Sequence, residues 1–452
     1  MSHVMENYFD QTVQSISEIL RFDSTQKPAE DNCPFGKENA ACLAWFLQKA
    51  EEFGFETHNY DNYVGEVIFG EGEDFAVLAH LDVVPATGDW LFPPFSGAIN
   101  DVVSPRGVAG MKIWGRGALD DKGPAVSCLY ALKALKDEGF VPARKIKLIV
   151  GCNEESGWAC MDHYEKVVGL PKEGFTPDAN FPVIYAEKGI LHLTLSFPVQ
   201  NPPFTALSVG GAVNMVPDKA TAILTKKAGQ ALALSPAFPS LSYDNTTNTV
   251  VAYGTSAHGS APQLGVNALE KLLAFFKEIN EDCKAAYEVL FDDSLALTKI
   301  KDETGVLTFS PDLASFDGNV LKVTVDIRIP ATHKKEEVLI ALKNAGVEVE
   351  ELRFQPPLYN NPNGKLVKTL QQVYNKAAGT DLPPIAIGGG TYARAIEKGC
   401  AFGPERPEDV ECNIHQPNEY VSFDTVRFMN EVYYDAIKKL TKPTKYYIVA
   451  KI

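Results

Sequence analysis

Two histidines and a set of carboxylates stand in this sequence at positions where they could hold divalent cations. His80 lies in FAVLAHLDVV (75–84) with Asp82 two residues on, and Asp120 and Asp121 are adjacent in GRGALDDKGP (115–124). Glu154 and Glu155 are adjacent in NEES (153–156), Asp178 lies in FTPDANFP (175–182), and His415 opens HQPNE (415–419). Each alone has a plainer explanation. A histidine in an apolar strand is ordinarily a hydrogen-bonded core residue, Asp120 suits a helix N-cap with Asp121 in the first turn, and the others suit a helix start, a turn and a loop. Together, two imidazoles and at least three carboxylates supply the mixed nitrogen and oxygen donors that two divalent ions need, with one carboxylate to share. Asp82, on the same side of a strand as His80, could accept from one imidazole nitrogen and leave the other for a cation. Adjacent glutamates allow one to ligate while the other takes a proton from water.

Such a cluster needs elements that carry it to one place. Residues 75–84 and KIKLIVG (145–151) read as buried strands. Between them Pro124, the spacing of Val126, Leu129, Leu132 and Leu135, and Gly139 predict a helix over 124–138. Strand, helix, strand implies a parallel sheet, and ligands collect at the carboxyl ends of its strands, where His80, Asp82, Glu154 and Glu155 fall. Near residue 190 the pattern changes. LHLTLSF (191–197) and VLKVTVDIRIP (320–330) alternate as half-exposed strands do, with Leu321, Val323, Val325, Ile327 and Ile329 on one face, and a helix is expected at about 266–279 after Pro262. The expected fold is α/β. A catalytic domain with a mostly parallel sheet and helices on both faces spans 1–189 and 356–452, interrupted by an α+β domain over 190–355. Helices near 364–378 and 424–439 flank the glycines of 388–390 and His415.

Composition narrows the partners. At 452 residues, 45% hydrophobic, the chain exceeds what one core usually supports. With 42 Lys and Arg against 58 Asp and Glu, a formal charge of −16 and no basic run, nucleic acid is excluded as a natural partner. No apolar run approaches the roughly 18 residues of a membrane span. The opening residues place Phe9, Val13, Ile16 and Leu20 at helical spacing among acidic residues, which reads as a folded helix and not a signal peptide. The eight cysteines include no C-x-x-C pair and several sit in apolar segments, so buried free thiols and a cytoplasmic location are expected.

HLDVVP (80–85), GRGALDDKGP, NEES, FTPDANFP, GTSAHGSAP (254–262) and HQPNE, in that order along nearly the whole chain, resemble the motifs of the dinuclear-zinc aminoacylase, desuccinylase and dipeptidase family, and within it the PepV-type bacterial dipeptidases. The resemblance implies that Asp120 bridges two metal ions, with His80 and Asp178 completing one site and Glu155 and His415 the other. Glu154 would be the general base and then acid, Asp82 would orient His80, and the Asp120–Asp121 peptide would be cis. The inserted domain would be a lid. In it His258 would reach the scissile carbonyl oxygen, Asn214 would line the same cleft, and Arg328, helped by Gly389, Gly390 and Thr391, would bind the substrate's terminal carboxylate. The plainer alternatives are a polar loop residue for His258 and, for Arg328, a solvated strand face shared with Lys322, Thr324 and Asp326.

The function so implied is metal-dependent hydrolysis of unblocked dipeptides by a water activated between two divalent ions and Glu154. Zinc is the expected metal, with manganese or cobalt as alternatives, and a monomer is expected because the long lid delivers His258 within one chain. An N-acyl amino acid deacylase or desuccinylase on the same dinuclear site, and a non-catalytic metal-binding homologue, remain as alternatives.

Overall fold

The computed structural model describes residues 4–235, 237–407 and 412–443, which divide into two compact units. The first comprises the chain up to Tyr185, Asn360–Ile385 and the residues from Thr391 on; the second comprises Ala186–Tyr359 and Ala386–Gly390.

In the first unit the strands run in the order Glu56–Tyr60, Val64–Phe69, Lys145–Gly151, Asp74–His80, Glu173–Thr176, Lys398–Ala401 and Ile184–Glu187. The four in the middle are mutually parallel, with His80 paired in register to Gly151, and the outer pairings are antiparallel. The inner strands are buried on both faces, as their apolar runs require. The helix Lys122–Asp137 is buried on nearly every side, packed by the strands and by the helices Phe9–Ile19 and Phe423–Thr441. The opening helix buries Phe9, Val13 and Ile16, as their spacing dictates. Among the described residues no helix is long and apolar enough to cross a membrane, and none of the eight cysteines is paired in a disulfide.

The second unit is an eight-stranded antiparallel sheet. Helices that include Ala268–Phe276 and Glu281–Phe291 bury Leu269, Leu272, Phe276 and Leu290 in a core shared with Leu321, Val323, Val325 and Ile327 of the strand Val320–Ile329. The Asn267 side chain accepts from the backbone N–H groups of Leu269 and Glu270, which sets the start of the first of these helices. The strand is not half-exposed throughout. From Val325 to Ile329 both faces are buried, and its polar side carries Asp326 and Arg328.

Asp312, in a bulge of the neighbouring strand Thr308–Phe316, is fully buried. Ser310 Oγ donates to Oδ1 at 2.5 Å, while Oδ2 has no partner among the described residues. Burial, with the Asp326 charge adding to it, pushes this carboxyl up to about 8. An acid raised in the folded state contributes stability that is complete below its unfolded value near 4 and is lost as pH rises through the folded value. Asp312→Asn is therefore expected to gain on the parent by roughly 1 kcal/mol per pH unit between about pH 4 and 8 and to level off above. Thermal midpoints of both proteins across that range check it; a constant difference would refute it.

Candidate metal centre and substrate-binding side chains

The strand Asp74–His80 ends at His80, so the imidazole stands at the carboxyl end of the sheet, fully buried. Nδ1 lies 3.0 Å from the carbonyl oxygen of Asp82 and 3.5 Å from its carboxylate. Donation to that carbonyl leaves the Nε2 lone pair for a cation. Asp82 reaches the site from beyond the strand, not by strand alternation. Its carboxylate accepts the backbone N–H groups of Glu154 at 2.9 Å and Glu155 at 3.0 Å, and so fixes the turn that carries both glutamates.

His80 Nε2 is 2.9 Å from Asp120 Oδ1 and 3.6 Å from Asp178 Oδ1. The other Asp120 oxygen, Oδ2, is 2.8 Å from His415 Nε2, which is 3.2 Å from Glu155 Oε2. One carboxylate thus faces two imidazoles, one oxygen to each. The helix N-cap is Asp121, not Asp120, and it does not cap with its side chain: Oδ2 accepts the N–H of His80 at 3.1 Å. The Asp120–Asp121 peptide is cis. His415 sits in a tight loop with φ +60°, a left-handed conformation uncommon for a residue with a β-carbon, and Asn413 and Asn418 on either side share it.

Among the described residues, donor atoms of His80, Asp120 and Glu155 lie within 4.8 Å of one another, as do those of His80, Glu154 and Asp178. Burial, with the nearby charge of Asp178, pushes Glu154 up to about 8, and burial raises Asp178 and Glu155 as well. Burial disfavours the Asp120 charge too, but the contacts with His415 and His80 hold that carboxyl well below the usual range, while Asp120 and Glu155 push His415 up to about 10. This crowding of buried acids around two imidazoles is what divalent cations relieve. The donors, imidazole nitrogen and carboxylate oxygen with no thiolate, fit zinc-like and manganese-like ions.

Two supports escaped the reading of the sequence. Glu419 is fully buried, receives Arg116 Nη1 at 2.6 Å, and accepts the backbone N–H groups of Gly117 and Leu119 at 3.1 Å each, holding the loop that presents Asp120. Its signal was an unassigned acid in HQPNE opposite an unassigned base in GRGALDDKGP. Trp158 Nε1 donates to Glu154 Oε1 at 3.0 Å.

Within the second unit, His258 lies in an exposed loop bridged to Met215, and Gly259 N donates to Asn214 O at 2.7 Å. The backbone N–H of Ser260 donates to His258 Nδ1 at 3.1 Å, so that nitrogen is unprotonated and the imidazole hydrogen sits on Nε2, a donor. Burial and then Arg328 lower the His258 pKa, which keeps the ring neutral. Arg328 is not on a solvated face. Lys322 is exposed and Thr324 half-buried, but Asp326 and Arg328 are buried. Arg328 Nε and Nη2 donate to the two oxygens of Asp326 at 2.8 and 2.6 Å, and Nη1 donates to Gly388 O at 3.1 Å. Gly389 and Gly390 follow that carbonyl. Thr391, in the first unit, accepts the N–H of Ala393 on its hydroxyl at 3.2 Å and opens the turn Tyr392–Ala395.

A family model described as peptidase family M20/M25/M40 matches residues 76–439. The Bacillus subtilis (strain 168) protein YtjP is 33% identical over 461 residues, covering 95% of this chain and 97% of its own. The Beta-Ala-Xaa dipeptidase of Lactobacillus delbrueckii subsp. lactis is 30% identical over 462 residues and 96% of each chain. Among solved structures, the aminoacylhistidine dipeptidase from Vibrio alginolyticus shares the fold with a TM-score of 0.57 at 14% identity, covering 95% of this chain and 96% of that one.

Proposed function

The chain belongs to peptidase family M20/M25/M40, and from that premise we propose that it is a metal-dependent dipeptidase acting on unblocked dipeptides. The observation that carries this reading is Asp120, whose two oxygens each face a different imidazole. In this reading Asp120, with His80 and Asp178 on one side and Glu155 and His415 on the other, would hold two divalent ions. Zinc is the first choice of ion, with manganese or cobalt next. Cations held there supply Lewis acidity to the scissile carbonyl and lower the pKa of an attacking water.

The remaining work falls to side chains. Glu154 takes the proton of the attacking water on its carboxylate and returns it to the leaving amine nitrogen. Trp158 holds Glu154 Oε1 by its indole N–H, which orients the other oxygen for that transfer. His258 donates its Nε2 hydrogen to the carbonyl oxygen as negative charge develops, and Asn214, tied by its backbone carbonyl to Gly259, lines the same cleft. Arg328 receives the terminal carboxylate, and the backbone N–H groups of Gly389, Gly390 and Thr391 are the donors we assign to help it. The similarity to a Beta-Ala-Xaa dipeptidase over nearly the full length of both chains supports dipeptides as the substrate class. Eight cysteines without a disulfide among the described residues support a reducing, cytoplasmic setting.

In the same reading the carboxylates of Asp178 and Glu154 hold the free α-ammonium and Arg328 the α-carboxylate, so selectivity is the test. Acetylating the amino end or amidating the carboxyl end leaves a buried charge unpaired, and kcat/KM is expected to fall by roughly 10²-fold or more. A panel of dipeptides, their N-acetyl and amide derivatives, and tripeptides, assayed after loading with zinc, manganese or cobalt, checks this. Equal cleavage of N-acetyl dipeptides would move the chain to the deacylase branch. The reading also carries a monomer, which sedimentation checks; an obligate dimer rescued by mixing inactive His258 and Glu154 variants would overturn it.

A further inference from the structure

We propose that Asp326 is a positioning residue that locks the Arg328 guanidinium in the pose that receives a substrate carboxylate. The proposal rests on the reading of Arg328 as the carboxylate anchor. Asp326 and Arg328 are two residues apart on the strand Val320–Ile329, so their side chains leave the same face, and both are buried. Asp326 takes Nε and Nη2 in a two-point contact, and Gly388 O takes Nη1. Three of the five guanidinium N–H groups are thereby engaged. One hydrogen remains on each of Nη1 and Nη2, enough for a two-point contact with an incoming carboxylate.

Asp326 is itself boxed in. Across the sheet it is in register with His192, whose Nε2 lies 3.6 Å from Oδ1, and with Ser310 on the other side. Above it lies Gly259, where a β-carbon would come within 2.4 Å of Oδ2 and 3.1 Å of Cγ. Only the bare α-carbon lets the loop that carries His258 rest on this carboxylate. Asp326 therefore holds a long, flexible cation to one geometry before substrate arrives, so that binding does not have to order it. The same contact seats the backbone next to His258.

The experiment compares Asp326→Asn, Gly259→Ala and Arg328→Ala on one unblocked dipeptide and on the same dipeptide carrying a C-terminal amide. Asp326→Asn is expected to raise KM for the free acid by about tenfold, with a smaller fall in kcat, and to narrow the preference for acid over amide by a similar factor. Gly259→Ala removes no charge but displaces Oδ2 and the loop next to His258, and is expected to give the same acid-selective rise in KM on top of a lower kcat for both substrates. It decides the matter if Asp326→Asn does not fold. Calorimetric binding of the free dipeptide to Glu154→Gln, with and without Asp326→Asn, reads the same loss of affinity without turnover. If Arg328→Ala narrows the preference and the Asp326 and Gly259 variants do not, Asp326 has no positioning role while the Arg328 reading stands. If Arg328→Ala leaves the preference unchanged, the reading of Arg328 falls and this proposal with it.

Discussion

Glu154→Gln is expected to keep its full complement of cations and to turn over dipeptides about 10²- to 10⁴-fold more slowly, the loss typical of a missing general acid or base. Gln keeps the shape of the side chain and an oxygen for the Trp158 indole N–H, which lies 3.0 Å from Oε1. It cannot take a proton from water at neutral pH. The substitution also separates two roles that the geometry brings close together, because Glu154 has a donor atom within 4.8 Å of those of His80 and Asp178. A ligand lost to an amide costs metal; a base lost to an amide costs rate alone. Elemental analysis beside steady-state kinetics distinguishes them. Two bound ions with near-normal kcat would remove Glu154 from the chemistry, and a variant that lost an ion would make it a ligand.

Asp120→Ala is expected to lose both ions and all measurable activity. The argument is geometric. Its Oδ1 is 2.9 Å from His80 Nε2 and its Oδ2 2.8 Å from His415 Nε2, so this one carboxylate serves both imidazoles. Affinity should fall by more than the roughly 10–100-fold that follows loss of an outer partner of a ligand. His415→Ala, which removes a donor from one side only, should leave one ion bound more tightly than the other. Two tightly held ions per chain in Asp120→Ala would end the bridging assignment.

Much of this was legible in the sequence because the elements that carry the site are local. The apolar runs 75–80 and 145–151 and the helix between them are set by short-range pattern, and they bring His80 and the Glu154–Glu155 turn to one edge of the sheet. What pattern could not give was the partner of each polar group. Asp82 looked like a strand residue aimed at His80, yet the strand ends before it and its carboxylate binds two backbone N–H groups. Glu419 looked like one more acid in a loop, and only the fold sets it against Arg116, some three hundred residues earlier in the chain. The face of Asp326 and Arg328 looked solvated because alternation records that one side is apolar and is silent on whether the polar side is covered.

The interior place of the strand Lys398–Ala401 also sets an order of events on the ribosome. It lies between Glu173–Thr176 and Ile184–Glu187, so the first unit's sheet cannot close until residues near the end of the chain have been made. The second unit needs little beyond one continuous stretch, Ala186–Tyr359, and has its full antiparallel sheet long before then. Synthesis thus supplies every strand of the inserted unit's sheet before the strand that pairs beside Glu173–Thr176, whose edge is the kind other chains can pair with until then. A nascent polypeptide stalled before residue 398 has every strand of the second unit's sheet but lacks both Lys398–Ala401 and the His415 that faces Asp120.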